Sequence, residues 1–295
     1  MKISESCAKC LYDRQRARMP DEDYLEEVRS LLEERGENDS SPLLVYRFNQ
    51  AYARRFGSAD SYAGVKRSYN DLVLSMADHL RAQIEASDDP LAAALAYARV
   101  GNYIDFGAMD TVDEATFLGL FKEAVLRPEE KSVYERFLKA CEKGERFLLI
   151  ADNCGEIVLD RLFLEQLKKR FAHLRLQVLV RGSEVLNDVT VRDAVYAGVD
   201  QLAEIFSNGA AIAGTVYELM PEEARQALDA ADVVLAKGQG NYESLSGQGR
   251  HIFYAFLCKC DLFTGRFRVP PLTGMLVEES TGMPAGENTV GPGSV

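Results

Sequence analysis

Apolar residues change their rhythm halfway along the chain. Up to about residue 145 they recur at three- and four-residue spacing, the signature of helices with one buried stripe; beyond it they gather in short unbroken runs. Residues 5–18 and 21–35 read as helices parted by Pro20. Gly36-Glu37-Asn38-Asp39-Ser40-Ser41-Pro42 reads as a linker whose proline suits the first turn of a helix running to about residue 56. Residues 62–86 continue the stripe through Val65, Tyr69, Leu72, Leu74, Met76 and Leu80. Asp88-Asp89-Pro90 breaks it, a further helix starts over 91–99, Thr111-Val112-Asp113-Glu114 reads as a capped helix start, and 131–143 is amphipathic again.

The second half alternates runs and stripes. Phe147-Leu148-Leu149-Ile150-Ala151 follows a hydrophilic stretch and reads as a strand buried on both faces. After Asp152-Asn153-Cys154-Gly155, Glu156 opens a helix that carries Ile157, Leu159, Leu162, Phe163, Leu164 and Leu167. Strands are expected over 174–180, 232–236 and 252–257, with a weaker one over 202–206, and helices from about Thr190 and over 214–230. Such alternation predicts right-handed crossovers. The expected fold is α/β: a Rossmann-like, mostly parallel sheet flanked by helices (146–277), preceded by an N-terminal all-helical domain (1–145). Residues 278–295, rich in Gly, Pro, Glu and Thr, read as a disordered tail.

Composition narrows the function. With 295 residues, 47% of them hydrophobic, the chain buries a large core, and a net charge of -12 argues against a nucleic-acid groove, which needs clustered Lys and Arg. The start lacks a signal-peptide core and the run at 91–97 is too short to span a bilayer, so a cytoplasmic protein with no membrane partner is expected. Six cysteines form no disulfide framework in that setting. Cys7-Ala-Lys-Cys10 and Cys258-Lys-Cys260 offer two thiol pairs, but Cys-x-Cys is not the usual zinc spacing and Cys258 ends an apolar run. Packing or redox-sensitive thiols are preferred to a shared structural metal.

Candidate chemistry lies in the turns after the strands. Parallel strands bring Asp152-Asn153, Asn187-Asp188 and the stretch Lys237-Gly238-Gln239-Gly240-Asn241 to one sheet edge, where open α/β sheets bind ligands. Asp, Asn and Asp are hard oxygen donors suited to Mg²⁺ or Mn²⁺, and Lys237 is a mobile positive point beside glycines that let backbone N–H groups approach an anion. Gly155 and Glu156 sit where free N–H groups at a helix start favour anions. Together these suit hydrolysis of a phosphomonoester, in which a metal neutralises phosphoryl charge. For each residue alone a bland reading competes: a carboxylate after a strand often caps a helix, and Asn102 and Asp105, three apart between Gly101 and Gly107, are first read as bonding local backbone. Glu156 and Glu243 are possible proton carriers, Cys154 is read as a small turn residue rather than a nucleophile, and no P-loop is present.

At these residues the chain resembles the DUF89 family of metal-dependent damage-control phosphatases, in the microbial subgroup with an N-terminal Cys-x-x-Cys. The resemblance rests on Cys7-Ala-Lys-Cys10, Gly101-Asn102-Tyr103-Ile104-Asp105-Phe106-Gly107, Asp152-Asn153-Cys154-Gly155-Glu156-Ile157-Val158-Leu159-Asp160, Asn187-Asp188-Val189-Thr190 and Lys237-Gly238-Gln239-Gly240-Asn241-Tyr242-Glu243. It implies a divalent metal (Mn²⁺, Mg²⁺, Co²⁺ or Ni²⁺) on Asp152, Asn153 and Asp188. It also implies a phosphate-contacting loop at Lys237 to Asn241, and Asn102 and Asp105 facing the same cleft, so that Asp152, Asn153 and Lys237 carry catalysis. The implied substrates are small phosphorylated metabolites such as sugar phosphates or phosphopantetheine-like compounds, some of them damaged. Cys154 departs from the family, where alanine is common. An S-adenosylmethionine-dependent carboxyl methyltransferase and a non-catalytic phosphometabolite-binding protein are the alternatives; an acidic turn after the first strand, where the former needs a glycine-rich one, favours the phosphatase.

Overall fold

The structure, a computed structural model, describes residues 3–57, 61–103, 121 and 124–279. Asp105, the helix start expected at 111–114 and residues from 280 onward lie outside them, as does the side chain of Asn102.

The sheet has six strands: β1 (Arg146–Ile150), β2 (Arg175–Val180), β3 (Glu204–Ser207), β4 (Val233–Lys237), β5 (Ile252–Leu257) and β6 (Gly274–Glu279). Their spatial order is β3-β2-β1-β4-β5-β6; the first five are parallel and β6 runs antiparallel to β5. The chain winds outward from β1 in one direction, returns, and winds outward from β4 in the other. The switch point lies between β1 and β4, which pair Ile150 with Ala236, and the carboxyl ends of the strands at such a point are where open α/β sheets bind ligands.

Period-two alternation builds two cores. Phe147 and Leu149 of β1 join Val178, Leu235, Phe253 and Leu276 on one face, while Leu148 and Ile150 join Leu179, Val234, Tyr254 and Val277 on the other. The first face is covered by helices α4 (Ala63–Glu85), α5 (Pro90–Val100), α6 (Lys131–Lys143) and α7 (Glu156–Arg170). Phe163 of α7 packs against Phe147 with ring centroids 6.1 Å apart, and Phe137 of α6 meets Phe147, Phe163 and Phe253. α7 is buried on more than one side, because α4 and α5 pack against it in addition to the sheet. The helices upstream of residue 145 therefore share a core with the sheet, except α1 (Glu5–Arg18), α2 (Glu22–Glu33) and α3 (Ser41–Phe56), which enclose a smaller cluster of their own around Tyr24 and Phe48.

The second face is covered by α9 (Glu222–Asp229), α10 (Gln239–Leu245) and α11 (Asp261–Phe267), and Tyr242 of α10 sits among Tyr254, Phe256, Phe263 and Phe267. α8 (Val191–Tyr196) completes the set. Two expectations need correcting. The helix at 214–230 is a 3-10 turn, Tyr217–Leu219, followed by α9, because Pro221 supplies no N–H for a continuous ladder. The sheet also runs two residues beyond 277, since Glu278 and Glu279 belong to β6 and are buried.

Candidate active site

β1 ends at Ile150, and the chain turns through Asp152, Asn153, Cys154 and Gly155 before α7 starts at Glu156. Gly155 adopts φ +79°, which side chains avoid, and its N–H donates to the buried Asn70 Oδ1 of α4 at 2.6 Å. After β2 the chain returns beside this turn. Cys154 N–H donates to Asn187 O and Val189 N–H to Asp152 O, each at 2.8 Å, so Asn153 and Asp188 face one another in a single antiparallel bridge. That backbone clasp brings Asp152, Asn153 and Asp188 together, all three buried.

Arg181, the residue after β2, lies between the two carboxylates. Nε donates to Asp188 Oδ2 at 2.6 Å and Nη2 to Asp152 Oδ1 at 3.1 Å, while Nη1 donates to Asn241 Oδ1 at 2.9 Å and Gly214 O at 3.0 Å. The planar guanidinium fork is suited to such a task; a point charge is not. Asn241 is equally committed: Nδ2 donates to Ala151 O at 3.1 Å and Lys237 O at 2.7 Å, tying the ends of β1 and β4 together, and Oδ1 also accepts from Thr215 Oγ1.

Lys237 does not project from the loop as the sequence suggests. It closes β4 with its side chain fully buried, and Nζ donates to Asp160 Oδ1 at 2.6 Å, Glu156 Oε1 at 2.7 Å and Ala98 O at 3.1 Å. An ammonium has three protons, and all three have internal partners. Glu156 Oε2 in turn accepts from Asn153 Nδ2 at 3.2 Å, and the same nitrogen donates to Asp152 Oδ2 at 2.8 Å. Lys237 and Glu156 thus stand behind the acidic turn rather than on its open side.

Two carboxylates share this one ammonium. Burial pushes the Asp160 carboxyl up to about 7, with Lys237 opposing and Glu156 adding to the rise. Burial works against the Lys237 charge, but Asp160 and Glu156 more than offset it and hold the ammonium above its ordinary value. Burial, then the charges of Asp188 and Glu156, push Asp152 up to about 7 against the pull of Arg181 and Lys259.

The remaining residues of the 237–241 stretch divide. Gly238, at φ +79°, lies against Asp152, and Gly240 lies against Ala213, where a Cβ would stand 2.2 Å from the carbonyl oxygen. Gln239 donates to Glu243 Oε1 at 2.9 Å and accepts Lys259 N–H at 3.2 Å. Asn102 lies in the 3-10 turn Gly101–Tyr103 that follows α5. Cys154 is buried, which pushes its thiol well above the usual range and suits a packed turn residue. Cys258 is buried too, Cys7 half-buried and Cys10 exposed.

Four contributors have no assigned role in the sequence reading. Arg181 carried a signal, since it follows β2 at the edge where Asp152 follows β1. Asp160 lies one turn from Glu156, with Ile157, Val158 and Leu159 between them at the buried start of the helix, and two carboxylates there require a cation. Lys259, between two cysteines that drew the attention, is partly exposed in the turn after β5 and acts electrostatically on Asp152. Asn70 had no signal in the local pattern.

Among the described residues no three His, Cys, Asp or Glu side chains form a metal cluster, so the donor set is two carboxylates and an amide. That set fits Mg²⁺ or Mn²⁺, which take few protein oxygens and leave positions for water and substrate. The negative charge crowded at Asp152 fits as well, and so does the absence of a side chain at Gly238, whose Cβ would fill the space beside Asp152 Oδ2.

Fold and site define a doubly wound α/β protein with an acidic site at its switch point. The fold is that of a solved DUF89 family protein from Pyrococcus horikoshii, with a TM-score of 0.75 at 23% identity over 94% of this chain and 98% of the other. Residues 3–271 match the damage-control phosphatase ARMT1-like domain, and the chain belongs to that family. It is 32% identical over 273 residues to a protein of Archaeoglobus fulgidus named damage-control phosphatase, covering 88% of this chain and 93% of the relative. It is 29% identical over 217 residues to damage-control phosphatase PH1575 of Pyrococcus horikoshii, covering 72% and 73%.

Proposed function

We propose that the protein is a metal-dependent phosphatase that hydrolyses small phosphorylated metabolites, sugar phosphates or phosphopantetheine-like compounds, with damaged side products among them. The observation that carries this reading is the meeting of Asp152 and Asp188, from separate loops, across one guanidinium at the switch point. Family membership and the names of the relatives support it.

Asp152, Asn153 and Asp188 would hold the divalent cation, which when bound neutralises charge on the phosphoryl oxygens. Arg181 keeps the two carboxylates aligned by hydrogen-bonding one oxygen of each. Lys259, rather than Lys237, is the partly exposed cation that meets the remaining phosphate charge. Water adds to phosphorus, the ester P–O bond breaks, and the alcohol leaves with a proton as inorganic phosphate forms.

The test is a panel of phosphometabolites and p-nitrophenyl phosphate, screened with Mn²⁺, Mg²⁺, Co²⁺ and Ni²⁺. Turnover should need one of these cations, stop on chelation and be lost in Asp152→Asn and Asp188→Asn variants that remain folded. Undiminished turnover in both variants, or in the chelated protein, overturns the proposal. A thermal shift with S-adenosylmethionine and none with metal and phosphate would point to the methyltransferase.

A further inference from the structure

The strand-end lysine of an acidic phosphoryl site is expected to touch phosphate, yet here it faces inward. We infer that Lys237 is a positioning residue: with Glu156 it holds the amide nitrogen of Asn153, which leaves the amide oxygen as that residue's metal donor, and it anchors the turn to the end of α5. This inference rests on the phosphatase reading and goes beyond it.

The geometry runs as one chain of contacts. Ala98 O, in the last turn of α5, accepts from Lys237 Nζ at 3.1 Å; the same Nζ reaches Glu156 Oε1 at 2.7 Å; Glu156 Oε2 takes Asn153 Nδ2 at 3.2 Å. A carboxylate only accepts, so Glu156 must face the amide nitrogen of Asn153 and not its oxygen. The second acceptor of that nitrogen is Asp152 Oδ2, at 2.8 Å, which enforces the same choice. With the nitrogen committed to both carboxylates, Oδ1 is the atom of the Asn153 amide left to act as a hard-oxygen donor. Lys237 governs the orientation because it fixes Glu156, and Asp160, at 2.6 Å, balances the ammonium from behind.

A merely structural ion pair would not need to end on Asn153. The backbone around the chain is equally close: a Cβ at Gly101 would stand 2.8 Å from Glu156 Cα, so the turn after α5 rests directly on the start of α7. Substrate phosphate has no claim on Lys237, because each of its protons already has a partner. A lysine contacting phosphate would instead keep a proton toward the cleft.

The full-length protein, Lys237→Met and Glu156→Gln are compared for Mn²⁺ affinity by calorimetry, for kcat and KM on p-nitrophenyl phosphate, and for inhibition by inorganic phosphate at saturating Mn²⁺. Both variants should weaken Mn²⁺ binding by about 10- to 100-fold, the usual effect of losing an outer hydrogen-bond partner. Both should lower kcat, with phosphate inhibition within about threefold of wild type once metal is saturating. Glu156→Gln keeps the shape and leaves Lys237 paired with Asp160, so it serves if Lys237→Met fails to fold. Unchanged Mn²⁺ affinity in Glu156→Gln overturns the inference. So does a tenfold or greater loss of phosphate inhibition in Lys237→Met at saturating metal with Mn²⁺ affinity intact, which would make Lys237 a direct phosphate ligand. If wild type neither binds Mn²⁺ nor turns over, the phosphatase reading itself falls; metal-dependent turnover in wild type with indifferent variants sinks only the positioning role.

Discussion

Gly238 and Asp152 are in contact at the point where the two halves of the sheet meet: a Cβ on residue 238 would stand 1.9 Å from Asp152 Oδ2. The contact adds to the hydrogen bond from Asn241 Nδ2 to Ala151 O in tying the loop after β4 to the loop after β1. Gly238→Ala must therefore displace the carboxylate, and at φ +79°, ψ 156°, a conformation nearly confined to glycine, it adds backbone strain of about 1–3 kcal/mol. Turnover should fall by about 100-fold, the scale of an ångström-sized misplacement. Wild-type kcat/KM in a folded Gly238→Ala protein would show that the carboxylate at 152 has room to move.

Arg181 is predicted to substitute for part of the charge a metal would supply. Arg181→Met leaves Asp152 and Asp188 buried without their shared guanidinium, a loss of about 3–5 kcal/mol by analogy with other broken buried pairs. Mn²⁺ should then raise the melting temperature of the variant more than that of wild type, because binding relieves the same repulsion. Equal shifts in both proteins would contradict this.

Stability should decline with rising pH between about 4 and 7 in metal-free protein. Asp160 has its folded-state carboxyl raised to about 7 by burial, well above its ordinary value, so the folded state binds the proton more tightly than the unfolded chain. Its contribution is complete below the unfolded value and is lost as pH passes through about 7. Asp152 acts in the same direction. Urea unfolding at pH 5.5 and pH 8 should differ by roughly 1–4 kcal/mol in wild type and by less in Asp160→Asn, which still offers Lys237 an acceptor. A variant with the full wild-type slope would clear Asp160 of the effect.

Lys259 and Lys237 should separate cleanly. Lys259→Ala removes a partly exposed side chain and should change stability by no more than about 0.5 kcal/mol. It should raise KM for p-nitrophenyl phosphate and weaken inhibition by inorganic phosphate by about tenfold, leaving Mn²⁺ affinity near wild type. Full phosphate inhibition in this variant would remove Lys259 from the binding site.

What the sequence could disclose was whatever is encoded locally. The run from Phe147 to Ala151, the acidic turn and the stripe of α7 announce strand, turn and helix, and the alternation behind them announces a parallel sheet. β6 was hidden because it ends in Glu278 and Glu279, which look like a solvated tail. Burial becomes tolerable only through distant partners: Arg136 and His251 for Glu278, Gly247 N–H and Tyr254 for Glu279. Lys237 was misjudged for the same reason. Nothing near it says whether a lysine after a strand points out or in; the carboxylates that draw it in, Glu156 and Asp160, stand 81 and 77 positions away.

The placement of α7 bears on how the gene can be cut. One side packs on β1 through Phe163, and a second meets α5 and α4, where Arg81 also grips Glu165 at 2.8 Å. A truncated product starting at residue 146 would present that second side to solvent and precipitate rather than yield a free-standing catalytic fragment. Expression trials, fusion partners and proteolytic nicks must respect the junction before β1 as interior, even though the spacing of apolar residues changes there.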